Sequence, residues 1–204
     1  MKKKFFLVLA TVSIALIMSS CGKIPQAEID AANAAVADAK AGQAETYIPE
    51  EFTALQDSLR IALENVEVQK SKLFRKYSGP KQQLIAVTAL AGKVKQDAEA
   101  KKTAVKAEIQ TTLTDITTLQ DENKKLLTKA PRGKEGKAAL EAIKNDIAGI
   151  ETSVTEANTL VTSGDFMAAL YKVKAAKEKA TEINNELKSA IEKSKGKGKA
   201  KGKK

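Results

Sequence analysis

The sequence predicts an all-α fold in which about five helices pair as elongated antiparallel hairpins of a coiled-coil-like bundle. Aromatic residues make up only 4% of the 204 residues, and Ala, Lys, Glu, Leu and Thr dominate, which is typical of long helices. Apolar residues recur every three or four positions, and no segment alternates as a strand would. Short segments containing Pro or Gly separate these stretches, which favours antiparallel neighbours.

The first two predicted helices precede residue 78. An Ala-rich helix runs from Gln26 to about Lys40, and the chain turns by Tyr47. Pro49 suits the first position of the next helix, where Glu50 and Glu51 complement the positive end of the helix dipole. The two apolar stripes are Ile29, Ala32, Val36 and Ala39 in the first helix, and Phe52, Leu55, Leu59, Ala62, Val66 and Leu73 in the second.

The third predicted helix extends from Pro80 to about Lys129, because no proline interrupts this stretch. Its stripe is Leu84, Val87, Ala91, Val94, Ala98 and Val105, followed in a shifted phase by Ile109, Leu113, Ile116 and Leu119. A threonine-rich patch comprises Thr111, Thr112, Thr114, Thr117 and Thr118. Because threonine has poor helix propensity, this patch is a candidate bend.

The last two predicted helices form a hairpin after the break at residues 130–133. Their stripes are Leu140, Ile143, Ile147, Ile150, Val154, Ala157 and Val161, then Ala169, Val173, Ala176, Ala180, Ile183, Leu187 and Ala190. The predicted domains of the body are therefore a hairpin with a long helix over 26–130 and a C-terminal helical hairpin over 131–192.

The net charge of +10 lies at the two ends of the chain. Residues 1–20 contain three lysines and residues 193–204 contain seven, without any acidic residue in either segment. The remaining residues, 21–192, contain 25 basic and 25 acidic side chains. The helical body is therefore formally neutral, and overall basicity says nothing about its partners.

The composition argues against an enzyme. The chain has no His and a single Cys, which excludes Ser–His and Cys–His nucleophiles, imidazole ligands and thiolate metal clusters. Ser78 and Lys81 match the S-x-x-K motif of penicillin-recognising enzymes, but Gly and Pro intervene and the partner motifs are missing. We therefore expect neither catalytic residues nor a metal or cofactor.

Two further groups of side chains have structural interpretations. The adjacent carboxylates Glu50/Glu51 and Asp121/Glu122 point apart on a helix, so neither pair suits acid–base work. Aromatic residues occur near the predicted helix ends, at Tyr47, Phe52, Phe74, Tyr77, Phe166 and Tyr171. They favour packing at hairpin ends, and the alternative is a groove for a ligand or lipid.

The N-terminal segment, residues 1–20, predicts a cleaved secretory signal. Lys2–Lys4 provide the positive start, and Phe5–Ile17 forms an uncharged run. As a helix this run spans roughly 20 Å, which is short of the ~30 Å hydrocarbon core of a bilayer. A charged start, a short apolar run and small residues are typical of export signals.

The residues Met18-Ser19-Ser20-Cys21 resemble the lipobox of bacterial lipoprotein precursors. This resemblance covers residues 1–22 and implies cleavage before Cys21, attachment of diacylglycerol to its thiol and frequent acylation of the new amine. Residues 21–25 would then be an acylated tether to the lipid bilayer. In Gram-negative members Asp after the Cys favours the inner membrane, so Gly22 favours the outer membrane, facing the periplasm.

The C-terminal segment, residues 193–204, is a predicted disordered tail because glycines weaken a helix and like charges repel. Export argues against nucleic acid as its partner and leaves peptidoglycan, lipopolysaccharide and anionic lipids. The alternative is a solubilising tail without a partner. The predicted polyanion contacts are Lys193, Lys195, Lys197, Lys199, Lys201, Lys203 and Lys204.

Two weaker resemblances concern the whole layout. The stretch around Tyr47-Ile48-Pro49 resembles a group of uncharacterised helical envelope lipoproteins, over about residues 25–105. Cys21 and Lys204 match by role the acylated Cys and the peptidoglycan-linked Lys of the major outer-membrane (murein) lipoproteins, although the Tyr-Arg-Lys end of that family is missing. This layout leaves open covalent attachment of Lys204 to peptidoglycan.

Together these features predict a non-enzymatic, membrane-anchored envelope lipoprotein that acts as a helical spacer or adaptor. One alternative is a helical binding module for a partner protein or a hydrophobic ligand, with homo-oligomerisation left open. A second alternative is a peptidoglycan-linked structural lipoprotein or the accessory subunit of an enzyme.

Overall fold

The computed structural model describes residues 22–131 and 134–201, with side chains at 22–131 and 136–195. Its helices are α1 (Gln26–Ala41), α2 (Ala44–Tyr47), α3 (Pro49–Lys70), α4 (Ser78–Lys129), α5 (Lys134–Ser163) and α6 (Phe166–Lys201). No strand occurs in this part of the chain, which confirms the predicted all-α class. The short helix α2 occupies the position where the sequence predicts only a turn.

The chain divides into two compact units, Met1–Lys101 and Lys102–Lys204. This boundary lies inside α4, whereas the sequence predicts a boundary between residues 130 and 131. The reason is that the first half of α4 packs in one unit and its second half packs in the other. The break at residue 131 ends a helix without ending a packing unit.

The first unit contains α1, α2, α3 and the first half of α4. Lys81 Nζ of α4 lies 2.8 Å from Glu28 Oε1 of α1, and Lys95 Nζ lies 3.7 Å from Asp38 Oδ2. From the first pair to the second, the residue number rises in both helices, so α1 and α4 run parallel. The helix α3 is antiparallel to both. The core includes Ala32, Ala39, Phe52, Leu55, Ala62, Val66, Leu84, Val87, Ala91, Val94 and Ala98.

The second unit contains the second half of α4 with α5 and α6. Only Gly164 and Asp165 separate α5 from α6, so these two helices form an antiparallel hairpin, as predicted. Gly164 has φ +85°, a left-handed conformation that suits glycine at a helix end. The buried stripe residues include Val105, Ile109, Ile116, Ile143, Ile147, Ile150, Ala157, Ala169, Val173, Ala176, Ala180, Ile183 and Leu187.

Lysines of α6 form the ion pairs that join it to α4 and α5. Within the described side chains, each such pair has its lysine on α6 and its carboxylate on the other helix. The pairs are Lys174–Glu108 at 2.6 Å, Lys177–Asp115 at 2.7 Å, Lys188–Glu122 at 3.0 Å, Lys179–Asp146 at 3.1 Å, and Lys172–Glu156. In the three pairs between α6 and α4, the residue numbers rise in the same order in both helices, which shows that α4 and α6 run parallel.

A buried amide pair joins α4 to α6. Asn123 is fully buried and Asn184 is 4% exposed. The Asn184 Nδ2 donates to Asn123 Oδ1 at 2.9 Å, and Asn123 Nδ2 donates to the carbonyl oxygen of Ala180 at 2.8 Å. These hydrogen bonds satisfy polar groups that would otherwise destabilise an apolar core.

The prediction that Leu73 belongs to the buried stripe of the second helix is wrong. The helix α3 ends at Lys70, and Leu73 is 88% exposed. The helical spacing extrapolates from Val66 to Leu73, but it applies only while the helix continues. Residues 71–77 instead form the connection between α3 and α4.

The threonine-rich patch does not interrupt α4, which is continuous from Ser78 to Lys129. Four of its hydroxyls donate to the carbonyl oxygen four residues earlier, at 3.0–3.1 Å. These are Thr111, Thr114, Thr117 and Thr118. Such local bonds satisfy the hydroxyl within the helix, so low propensity alone does not end it.

The prediction of a disordered tail differs from the structure, in which α6 continues to Lys201. Lysine and alanine have high helix propensity, and lysines near a helix C-terminus interact favourably with its dipole. These effects oppose the cost of Gly196 and Gly198. Residues 193–201 therefore extend α6, and the rest of the predicted tail lies outside the described residues.

Candidate functional site

The predicted lipidation site lies outside the described residues. Cys21 and the signal segment 1–20 precede Gly22, where the description begins. Residues 22–25 are not helical, and Pro25 is buried. The structure thus shows the segment that directly follows the proposed anchor, although not the anchor itself.

Gly22 packs against the connection between α3 and α4. A Cβ atom at this position would lie 3.2 Å from Tyr77 Cδ2 and 3.3 Å from the carbonyl oxygen of Arg75. A larger residue would therefore push these groups apart. The resemblance to lipoprotein precursors implies a sorting role for Gly22, and this close contact provides a local structural reason for glycine.

We call residues 22–24 and 70–77 the Gly22 surface. The three-helix arrangement of the first unit places the start of α1, the end of α3 and the start of α4 at one end, where these residues meet. They surround a hollow of about 660 Å³ whose lining includes Gly22, Lys23, Lys72 and Arg75. The surface is therefore contiguous with the position of Cys21 in the chain.

The Gly22 surface is basic. Lys70 lies 2.5 Å from Glu67, but Lys23, Lys72, Arg75 and Lys76 make no ion pair with any residue that the structure describes. The acidic side chains end at Glu67 on α3, and none follows between residues 68 and 81. These four cations are exposed, whereas the nearby carboxylates of Glu28 and Glu67 already pair with Lys81 and Lys70.

The same surface exposes large apolar side chains. Leu73 is 88% exposed, Phe74 is 82% exposed and Ile24 is 40% exposed. By contrast Tyr77 is only 5% exposed, so it supports the connection from beneath. Sequence reasoning noted Phe74 and Tyr77 as aromatic residues near helix ends but missed this surface. The available signal was the run from Lys70 to Lys76, in which basic residues flank Leu-Phe without any acid.

Only some of the predicted polyanion contacts lie among the residues that the structure describes. Lys193 and Lys195 are exposed on α6. The backbone at Lys197, Lys199 and Lys201 continues the same helix. Lys203 and Lys204 lie outside the described residues.

An apolar groove lies between α1 and α3 in the first unit. It has a volume of about 810 Å³, and its lining includes Val36, Leu59, Leu63 and Val68. Val68 is 49% exposed. This groove is the feature that a helical binding module would use.

Lys81 and Glu122, two of the residues considered as catalytic candidates, each form an ion pair with another helix. Lys81 pairs with Glu28, and its hydrogen bond is the main cause that lowers the pKa of the Glu28 carboxyl. The hydrogen bond from Lys188 likewise lowers the pKa of the Glu122 carboxyl. A lowered carboxyl pKa keeps the group ionised near neutrality, which opposes a role as a general acid.

Two lysines of the second unit show the reverse effect. A hydrogen bond to Glu151 raises the pKa of the Lys124 ammonium, and a hydrogen bond to Asp146 raises that of Lys179. Lys124 thereby bridges α4 to α5, and Lys179 bridges α6 to α5, through ion pairs exposed to solvent. Across the described residues no three Cys, His, Asp or Glu side chains form a group that could hold a metal.

No protein-family model, curated protein or solved structure matches the chain. None of the helices in the described part combines the length and the apolar character needed to cross a membrane.

Proposed function

We propose that this chain is a non-enzymatic lipoprotein of the bacterial envelope, anchored to the membrane by acylated Cys21 and acting as a helical spacer or adaptor. The observation that carries this proposal is the charged start, short apolar run and Met18-Ser19-Ser20-Cys21 at the N-terminus, and the next residue, Gly22, packs against Tyr77 and Arg75. Because the residue after the lipobox Cys already belongs to the folded unit, lipid on Cys21 would hold that unit directly at the bilayer. Two or three acyl chains are enough for persistent anchoring.

The anchor is tested by growing cells with an alkyne-labelled fatty acid and comparing wild-type protein with Cys21→Ala. The wild-type protein should incorporate the label, and its mature N-terminus should be Cys21 by mass spectrometry. The Cys21→Ala protein should incorporate none, while Ser19→Ala serves as a matched control that keeps the thiol. Equal labelling of the wild-type and Cys21→Ala proteins would contradict the anchor.

We also propose that the lysines of residues 193–204 contact peptidoglycan or other envelope polyanions. Seven lysines occur there without an acidic residue, and attraction of this kind weakens with salt because the screening length falls to a few ångströms near ~0.5 M. Isolated peptidoglycan should bind the full-length protein at low salt and release it at high salt. A variant with these lysines replaced by Gln should bind weakly, and equal binding would refute the contact.

The second candidate function is a helical binding module, favoured by the apolar groove between α1 and α3. Its volume of about 810 Å³ and its lining by Val36, Leu59 and Leu63 suit an apolar helix of a partner protein. Crosslinking in cells would distinguish the two functions. A partner lost in Leu63→Glu but kept without residues 193–204 would favour the binding module.

A further inference from the structure

We propose that the Gly22 surface is a second membrane contact, in which Leu73 and Phe74 insert into an anionic phospholipid bilayer. This inference rests on the proposed anchor at Cys21, because the surface is contiguous with that residue. It goes beyond the anchor because it assigns a membrane contact to the folded unit itself.

The exposure of the two side chains carries the first step. Leu73 and Phe74 are neighbours in the connection between α3 and α4, and they are 88% and 82% exposed. The flanking helices also expose apolar side chains, among them Val68 at 49% and Ile85 at 52%, but Leu73 and Phe74 are considerably more exposed than these. Leucine and phenylalanine at the tip of a surface segment are suited to the boundary between headgroups and acyl chains.

The charge around these side chains identifies the occupant. Lys72 precedes the apolar pair and Arg75 and Lys76 follow it, while Lys23 lies across the hollow. Such basic residues complement anionic headgroups, and each raises membrane partitioning about fivefold. A protein partner would need an apolar pocket for Leu73 and Phe74 with acidic residues around it. An anionic bilayer presents negative headgroups above an apolar interior everywhere on its surface.

The position of the anchor supports the same occupant. Gly22 packs against Tyr77 and Arg75, and Cys21 is the residue that directly precedes Gly22 in the sequence. Lipid on Cys21 would keep the connection near the headgroups, and insertion would then be an intramolecular step. Conversely, inserted Leu73 and Phe74 would fix the orientation of the first unit on the membrane.

The test uses the full acylated chain, which has no Trp, so that Phe74→Trp introduces a single fluorescent indole. The protein is reconstituted from detergent onto two kinds of vesicle, one rich in phosphatidylglycerol and one made of phosphatidylcholine without anionic lipid. In both kinds, part of the lipid is brominated and acts as the quencher. The matched control is Tyr171→Trp, since Tyr171 is 68% exposed on α6. We expect a blue-shifted and quenched indole for Phe74→Trp on the anionic vesicles, and an unquenched one for Tyr171→Trp.

The basic residues are tested by adding Lys72→Gln, Arg75→Gln and Lys76→Gln to the Phe74→Trp protein. At about fivefold for each residue, this triple change should lower the insertion equilibrium constant on anionic vesicles roughly a hundredfold. All three side chains lie in an exposed connection, so the variant should keep the helical circular dichroism of the parent. Quenching that persists undiminished in the triple variant would refute the role of charge.

Failure of the insertion and failure of the anchor give different results. An unquenched indole in Phe74→Trp protein that floats with anionic vesicles would overturn the insertion and leave the anchor intact. A wild-type protein that does not float with phosphatidylcholine vesicles and whose Cys21 is unmodified by mass spectrometry would overturn the anchor.

Discussion

Asn184→Ala is expected to lower the free energy of unfolding by about 2–4 kcal/mol. The change removes the donor to Asn123 Oδ1, which is 2.9 Å away on a fully buried side chain. A buried acceptor without a donor costs about 1–3 kcal/mol. Truncation of a side chain that is only 4% exposed adds about 1 kcal/mol for the space left behind.

Urea unfolding followed by circular dichroism measures this loss, and Asn65→Ala is the matched control. Asn65 Nδ2 also donates to an amide on another helix, Gln83 Oε1 at 2.9 Å, but this bond is exposed to solvent. Its loss should cost no more than about 0.5 kcal/mol.

The paired change Asn123→Leu with Asn184→Leu separates the hydrogen bond from its burial. Because both polar groups leave the core together, this variant should be close to wild type in stability. Equal losses in Asn184→Ala and Asn65→Ala would refute the reasoning, and so would a paired variant less stable than Asn184→Ala.

Two further predictions concern pH and helix ends. The pKa of Glu28 lies below its ordinary value of 4.5 because Lys81 donates a hydrogen bond to it, so the unfolded state binds the proton more readily. The stabilisation is therefore present at neutral pH and is lost as the pH falls through the lowered pKa, so the difference in melting temperature between wild type and Glu28→Gln should shrink as the pH is lowered below the ordinary value. Gly164→Ala should destabilise by about 1 kcal/mol because L residues are strained at positive φ, whereas Gly149→Ala in α5 should stabilise by about 1 kcal/mol through helix propensity.

Thermal unfolding checks both predictions. A difference between wild type and Glu28→Gln that stays constant from neutral to acid pH would contradict the assigned cause of the lowered pKa. A Cβ at Gly149 would meet no atom within 4 Å, so steric strain cannot mask its propensity effect. Equal shifts for the two alanine variants would contradict the glycine interpretation.

Apolar periodicity predicted the helices well because each helix buries one narrow face. Leu84, Ala91 and Ala98 of α4 are all fully buried, and a spacing of seven residues is enough to place them together. Leu73 was misassigned because periodicity contains no information on where a helix stops. The bend at the threonine patch was wrong for a related reason, since propensity neglects the local hydrogen bonds of the hydroxyls.

The two buried asparagines were not predictable from pattern alone. Asn123 and Asn184 are 61 residues apart, and either one resembles an ordinary polar residue on a solvated helix. The Gly22 surface was missed because it forms only when the start of α1 meets residues 70–77. Its charges are adjacent in the sequence, but the contact of Gly22 with Tyr77 depends on the antiparallel course of α1 and α3.

The uneven distribution of charge in the second unit has a consequence for encounters between two copies of this chain. Because α6 presents lysines where α4 and α5 present carboxylates, two α6 helices brought face to face would set ammonium against ammonium. Such homotypic pairing is electrostatically disfavoured, since opposed like charges suppress wrong partners. An α6 helix exchanged between copies would instead meet the same carboxylates that it meets within its own chain. The ion pairs contribute little to stability individually, but together they favour the pairing of α6 with α4 and α5 over the pairing of two such α6 faces.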